Sequence, residues 1–230
     1  MYIAGLWRYP VKSLSGEALK TAQLTGDGLS GDRVVHVASP HGPLTGRTRH
    51  GLLTVHAATG LDGVPRVAGH LWNTIKATQV IRTVAGPQAR LVGYRGPERF
   101  DVLNLLVATD GTVAELNADI RRLRPNLLIG GVPPGAEHSW PGHELVIGEA
   151  IIGVHSMRQR CIVTSIDPDS GTQDLEVFRR IRQRFGNELA LNCWVIRPGT
   201  VHLGDRVDRR PTTAEPAHLG GGILGRPYSL

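Results

Sequence analysis

Cys161 stands in the run Gln159-Arg160-Cys161-Ile162-Val163-Thr164-Ser165-Ile166-Asp167-Pro168-Asp169-Ser170-Gly171: a thiol directly after a cation, heading an apolar stretch, with an acidic turn behind it. Positive charge from Arg158 and Arg160 favours the thiolate, which is both a nucleophile and a soft metal ligand. The chemistry open to it is attack on a substrate or ligation of a metal. The plain alternative is a cysteine that begins a strand and packs as a small hydrophobe. Asp167 or Asp169 can move a proton beside such a centre, or can order their Pro-containing turn through Asx hydrogen bonds. His155 is open to the same two kinds of reading, proton donor or surface imidazole. Zinc is poorly served, because no Cys-x-x-Cys or His-x-x-x-His lies near Cys161 and the ten histidines are scattered. Cys193, beside Trp194 in an apolar run, reads as core.

These residues need elements to hold them. The first fifty residues alternate short strands and turns, over Tyr2 to Arg8, Leu19 to Leu24 and Arg33 to Ala38, with Gly26-Asp27-Gly28-Leu29-Ser30-Gly31 as a tight connection, and suggest part of a small β-barrel. Thr74, Ala77, Ile81 and Val84 fall three or four apart before the Gly86-Pro87 stop, predicting one amphipathic helix. A second is predicted from Val113, Leu116, Ile120 and Leu123, with Thr112 and Glu115 at capping-box spacing and Pro125 as terminator. Strands then resume at Asn126 to Gly130, in a Glu144 to His155 hairpin turning at Gly148-Glu149, and over Cys161 to Ile166, which places the thiol at a strand start. The third helix spans Asp174 to Phe185, with Leu175, Phe178 and Ile181 inward and Gly186 past its end. Strands over Leu191 to Ile196 and Thr200 to Val207 follow. Beyond Arg210 the composition is that of a linker.

The chain has 230 residues, 40% of them hydrophobic, 20% charged and 29 of them glycine, which fits a globular, turn-rich protein able to bury a core without staples. We expect a mixed α+β fold, mainly β: a β-barrel-like lobe over residues 1–96, a second β-barrel lobe with a few helices over 97–210, and a flexible tail over 211–230. No apolar run reaches the length of a membrane span and the N-terminus lacks a secretory h-region, so the expected location is cytoplasmic, off the membrane. Two cysteines in such a compartment predict free thiols. Net charge is +6, but the arginines are spread thinly, with doublets only at Arg121-Arg122, Arg179-Arg180 and Arg209-Arg210 and no aromatic series among them. That pattern argues against nucleic acid and for a small anionic ligand.

Tyr9-Pro10-Val11-Lys12-Ser13, Gly31-Asp32-Arg33, Arg124-Pro125-Asn126 and Arg160-Cys161 through Gly171 recur in the order found in MOSC-domain proteins that carry an N-terminal β-barrel region. The run Arg197-Pro198-Gly199 through Val207 also resembles that domain's last strands, so the resemblance covers residues 1 to 208. It implies a molybdopterin site between the lobes, with Cys161 matching the cysteine that ligates molybdenum in the mitochondrial amidoxime-reducing enzymes. Soft sulfur suits a metal already held by the pterin's dithiolene. The pterin's phosphate requires donors and positive charge, and the resemblance assigns these to Lys12, Ser13, Arg33, Arg124, Asn126 and Arg160. Thr45-Gly46-Arg47 resembles a Thr-Ala-Arg string of the family and adds Arg47, while Asp101 and Asn192 align with positions near the cofactor. Two departures bear on cofactor contacts and specificity: Val102-Leu103 stand where the reducing enzymes have hydroxylated residues, and Asn192 where they have an aromatic.

The function implied is a molybdenum-cofactor-dependent oxidoreductase that reduces N-hydroxylated or other N-oxygenated small molecules, with Cys161 and Asp167 as its catalytic residues. The chain has no iron–sulfur cysteine cluster and no dinucleotide fingerprint, so electrons are expected from a separate donor protein of ferredoxin, flavoprotein or cytochrome type. Two further readings stay open: a sulfur carrier or sulfurtransferase working through a Cys161 persulfide, and a non-catalytic molybdopterin-binding module.

Overall fold

The computed structural model describes residues 1–217; the part of the predicted tail that follows lies outside the described residues. Strands β1 (Tyr2–Arg8), β2 (Glu17–Ala18), β3 (Thr21–Thr25), β4 (Gly28–Leu29), β5 (Val35–Ser39), β6 (Gly42–Leu44), β7 (Ala57–Thr59), β8 (Pro65–Val67) and β9 (His70–Leu71) precede helix α1 (Ile75–Ala85). Then come β10 (Arg90–Gly93), β11 (Leu105–Thr109), α2 (Asp110–Leu116), β12 (Leu127–Gly130), β13 (His143–Ile147), β14 (Ala150–Gln159), α3 (Leu175–Phe185), β15 (Glu188–Arg197), β16 (Gly199–His202) and β17 (Asp208–Pro211). The fold is mainly β.

One curled sheet of eight strands dominates, in the order β17-β13-β14-β15-β11-β12-β1-β2. Only β11 and β12 run parallel, joined by a crossover through α2, as parallel neighbours require. β1 lies antiparallel to β12 with Leu6 opposite Leu127. Its inward side chains Ile3 and Leu6 therefore share a core with Leu127, Leu145, Ile152 and Leu191 from the other end of the chain. A second core gathers Val11, Leu14, Val35, Val37, Leu52, Ala77 and Ile81 under α1. A third packs α3 against Leu116 and Leu123. The strands at the chain's start thus build the large sheet, while the segment after them folds as a cap beside it, and a seam runs between the two.

Several expectations change in detail. The second helix starts earlier and stops sooner, at Asp110–Leu116, because Thr112 is buried accepting the Gly135 amide instead of capping, and Asn117 turns left-handed at φ 51°. Ile120–Arg122 continues only as a 3-10 turn. On α3 the buried face is Val177, Ile181 and Phe185, while Leu175 is exposed. The i, i+4, i+8 spacing of that set puts it on one stripe. Cys161 does not start a strand. It follows the end of β14 and caps a 3-10 turn over Ile162–Ser165, whose Thr164 amide and hydroxyl both donate to the Cys161 carbonyl at 3.1 and 3.0 Å. Apolar residues run through that segment because the turn tucks against α3, not because it pairs in a sheet. The residues just before the predicted tail form β17, which ends on the tail's first residue, Pro211, and pairs with β13 through Val146 opposite Asp208.

Candidate functional site

Three turns of the N-terminal half converge on the seam. Asp32, fully buried, accepts the Tyr9 amide at 2.7 Å and pairs with the Arg33 guanidinium, while the Arg33 amide donates to the Tyr9 carbonyl at 2.7 Å. Lys12 N–H donates to Val35 at 2.8 Å, so the Tyr9–Lys12 and Asp32–Val35 segments are stitched side by side. Holding their side chains inward requires unusual backbone: Ser13, Arg33 and, across the seam, Arg124 sit at φ 71°, 54° and 57°. Each costs about 1 kcal/mol or more, and such strain collects where function over-determines a position. Gly31 at φ 78° opens the turn that aims Arg33.

The opposite wall comes from strand ends. Arg158 and Arg160, two apart at the end of β14, both line the cleft, as do Asn126 and Asn192. Asp101, in the connection between the halves, receives Lys12 Nζ at 2.6 Å and Arg158 Nη2 at 2.9 Å. Lys12 also donates to the Arg99 carbonyl at 2.8 Å. Asn192 accepts weakly from Arg158 at 3.4 Å and donates to Ser156 and to the Met157 carbonyl, fixing the β14–β15 bulge. Asn126 bonds the Leu106 amide and the Trp7 carbonyl, so its side chain ties β1 to β11. Of the residues singled out in the sequence, Lys12, Ser13, Arg33, Arg47, Asp101, Arg124, Asn126, Arg160, Cys161 and Asn192 all border this one cleft, which opens to solvent and has a cavity volume of about 120 Å³.

Asp167 does not border it. Its carboxylate accepts from Arg122, from the Asp169 and Ser170 amides and from the Ser170 hydroxyl, which is the turn-ordering role. The bonds from Ser170 above all, then that from the Asp169 amide and the nearby Arg122 charge, hold its pKa below the usual carboxylate range. His155 is half-buried beside Ser156 and also lies off the cleft. Cys193 is buried, and burial pushes its thiol well up, as suits a core residue. Arg158, near the end of β14 before Arg160, also lines the cleft and is not among the residues assigned to it from the sequence. Neither are Arg122 and the buried Tyr9, which carries Arg124 over its ring at 4.3 Å.

The cleft's electrostatics are lopsided. Seven cations and one carboxylate line it: Lys12, Arg33, Arg47, Arg122, Arg124, Arg158 and Arg160 against Asp101. Burial, then crowding by other cations, lowers Arg160 to about 10; burial lowers Arg124 to about 10 and depresses Lys12. Tyr9 rises to about 12 by burial, against the pull of Arg124 and Arg33. Against the burial that would raise it, Lys12 and Arg158 hold the Asp101 carboxyl well below the carboxylate range.

Two of these cations are incompletely satisfied. Arg124 Nη2 and Arg160 Nε are buried with no acceptor among the described residues, although Arg160 Nη2 reaches the Leu123 carbonyl at 2.7 Å. Buried unpaired donors are costly, so the cleft is complementary to an anion that brings its own acceptors. Cys161 is half-buried in the same cleft. Among the described residues no group of three or more His, Cys, Asp or Glu converges to hold a metal ion, so a metal bound here would come with ligands of its own. The donor set therefore fits a phosphate-bearing group, with the Cys161 thiol beside it in the same cleft. No described helix is long and apolar enough to cross a membrane.

Comparison with known proteins shows the family. The model of the MOSC N-terminal beta barrel domain matches residues 1–70 and that of the MOSC domain residues 101–208. Human mitochondrial amidoxime-reducing component 1 is 31% identical over 126 residues, 46% of this chain and 37% of that protein. Mitochondrial amidoxime reducing component 2 of Macaca fascicularis is 34% identical over 80 residues, 32% of this chain and 23% of its own. The chain's match thus spans about a third of the length of the first of these relatives. YUAD protein from Bacillus subtilis shares the fold, with a TM-score of 0.50 at 12% identity, over 92% of this chain and 96% of that one. The chain belongs to the MOSC family, with a MOSC N-terminal β-barrel domain ahead of its MOSC domain.

Proposed function

We propose that the cleft holds molybdopterin-bound molybdenum and that the protein is a reductase of N-hydroxylated or similar N-oxygenated small molecules, supplied with electrons by a separate protein. The observation that carries this reading is one half-buried thiol, Cys161, sharing a cation-lined cleft with two buried guanidinium donors that lack acceptors. Amidoxime reduction is named in the relatives that match, which supports the substrate class.

Arg124 and Arg160 would receive the cofactor's phosphate, with Arg33 and Lys12 adding charge and Ser13 a hydroxyl. Cys161 would ligate the metal. When bound, the group supplies two-electron chemistry at molybdenum for removal of an oxygen atom from the substrate. Asp101 clamps Lys12 and Arg158 in place, so both cations are positioned before the guest arrives. Leu53, Phe100, Val163 and Leu123 supply the apolar part of the lining, which strengthens the charged contacts beside it.

Metal and pterin content tests the reading, measured on protein made in a cofactor-competent host. Wild type should carry both; Cys161→Ser should keep the pterin and lose most of the metal. Wild type free of both would overturn it, and a persulfide on Cys161 without pterin would favour sulfur transfer instead.

A further inference from the structure

A second cavity lies in the same seam, behind the wall formed by Leu53, Arg122, Arg124 and Val163, which border both spaces. Its cavity volume is about 430 Å³, suited to a small organic molecule. Its lining is unlike that of the first cleft. The half-buried Trp7 and buried Tyr9 provide aromatic surface, and Leu53, Val163, Ile166 and Pro168 provide aliphatic surface. The Trp7 indole lies flat on the sheet over Gly5, where an added Cβ would meet it at 2.3 Å. Among the described residues three arginines border it, with the Asp169 carboxylate beside them. Arg121 is spent on Asp119 and Asp169, and Arg122 on Asp167 and the Ser165 carbonyl, leaving Arg124 Nη2 as the buried donor without an acceptor.

The geometry points to a second binding site, for a flat apolar molecule with one anionic end, its ring body against Trp7 and the aliphatic wall and its charge on Arg124. Aromatic and aliphatic walls gain from a planar hydrocarbon body, and a bidentate fork gains most from a carboxylate. Arg124 borders both spaces, so an anion held on it from this cavity competes for that one residue with an anion in the first cleft; the inference otherwise goes beyond the cofactor reading and stands on this cavity's own lining.

Calorimetric titration of the purified full chain with 2-naphthoate and with its neutral isostere 2-naphthamide tests it. Naphthoate should bind, with the amide about tenfold weaker, a difference of about 1.4 kcal/mol. Ala18→Phe projects a ring into this cavity from an exposed position that does not border the first cleft. It should weaken naphthoate at least about tenfold while leaving inorganic pyrophosphate, the probe of the first cleft, unchanged. A second exposed position on the rim, His56→Phe, should do the same. The proposal is overturned if naphthoate fails to bind up to about 10 mM, if acid and amide bind alike, or if both variants bind as wild type. Naphthoate displaced stoichiometrically by pyrophosphate and indifferent to both variants would place it in the first cleft and equally overturn a second site. Metal content does not enter any of these outcomes, so failure here leaves the cofactor reading to its own test.

Discussion

Asp101 shows how one residue sets the character of the cleft. Among the described residues it is the sole carboxylate on the lining, and it takes Lys12 and Arg158 at once, with Lys12 almost wholly buried. Asp101→Asn would leave a buried ammonium facing an amide. Removing one partner of a buried pair is strongly destabilising, but a third of the Asp101 side chain is open to solvent and screening reduces the effect, so we expect about 2 kcal/mol at pH 7. The folded-state pKa lies below the unfolded value of about 3.9, so this contribution is fully present above that value and is lost as pH falls toward the folded pKa. Denaturant melts of wild type and Asp101→Asn should therefore differ by a constant amount from neutral pH to about pH 5 and converge below about pH 4. A gap that widens in acid would show that the carboxylate is not held down by its cations. At this scale the sequence was informative. Lys12, Arg33 and Cys161 announced themselves by motif and charge, whereas Tyr9 and Arg158 were hidden because their importance lies in which side chain they face across 23 or 57 positions, as Asp32 does Tyr9 and Asp101 does Arg158.

Helix α3 is the element that controls the thiol. The 3-10 turn after Cys161 is pinned at both ends by the helix boundaries: the Asp174 amide donates to the Ser165 carbonyl at 2.7 Å, and the Arg160 amide donates to the Asn187 carbonyl at 2.9 Å. Gly186 makes the second tie possible, adopting φ 57° as the C-cap while the Asn187 amide returns to Ile181. A Cβ there meets no neighbouring atom, so the cost of Gly186→Ala is purely conformational, about 1 kcal/mol. Hydrogen exchange at the Arg160 amide should speed up in this variant by more than at core amides such as Leu191; equal changes everywhere would mean the cap stabilises the fold without steering the Cys161 segment. Both caps of α3, Asp174 and Gly186, were legible from residue type alone. The state of Cys161–Ile166 was not, because a run in which five of six residues are apolar or β-branched satisfies a strand and a buried turn equally well, and only the helix packed against it decides.

Across the whole molecule, sequence patterns identified the β-rich fold but not how the chain's two ends share one sheet, since the pairing of β1 with β12 joins residues more than a hundred positions apart. That pairing places Tyr9 and Lys12 opposite the ends of β14 and β15, and so makes the cleft. The same assembly concentrates like charge. Lys12, Arg33, Arg124, Arg158 and Arg160 border one space with Asp101, and the fold keeps them there at the expense of mutual repulsion and incomplete hydration. An anion that enters relieves both, so ligand binding must appear as stability. At tenfold over its dissociation constant a one-site ligand adds about 1.4 kcal/mol, which in a chain of this size raises the melting temperature by about 3 to 6 °C. Inorganic pyrophosphate added to cofactor-free protein should produce that rise at low ionic strength. Raising the salt to about 1 M, where the screening length falls to about 3 Å, should diminish it. Arg160→Gln, which keeps a polar side chain beside Leu123 but removes the charge, should lose most of the shift while Arg179→Gln, on the outer face of α3, keeps it. Equal shifts in both variants would mean that pyrophosphate acts on the basic surface at large and that the converging turns do not build a receptor for it.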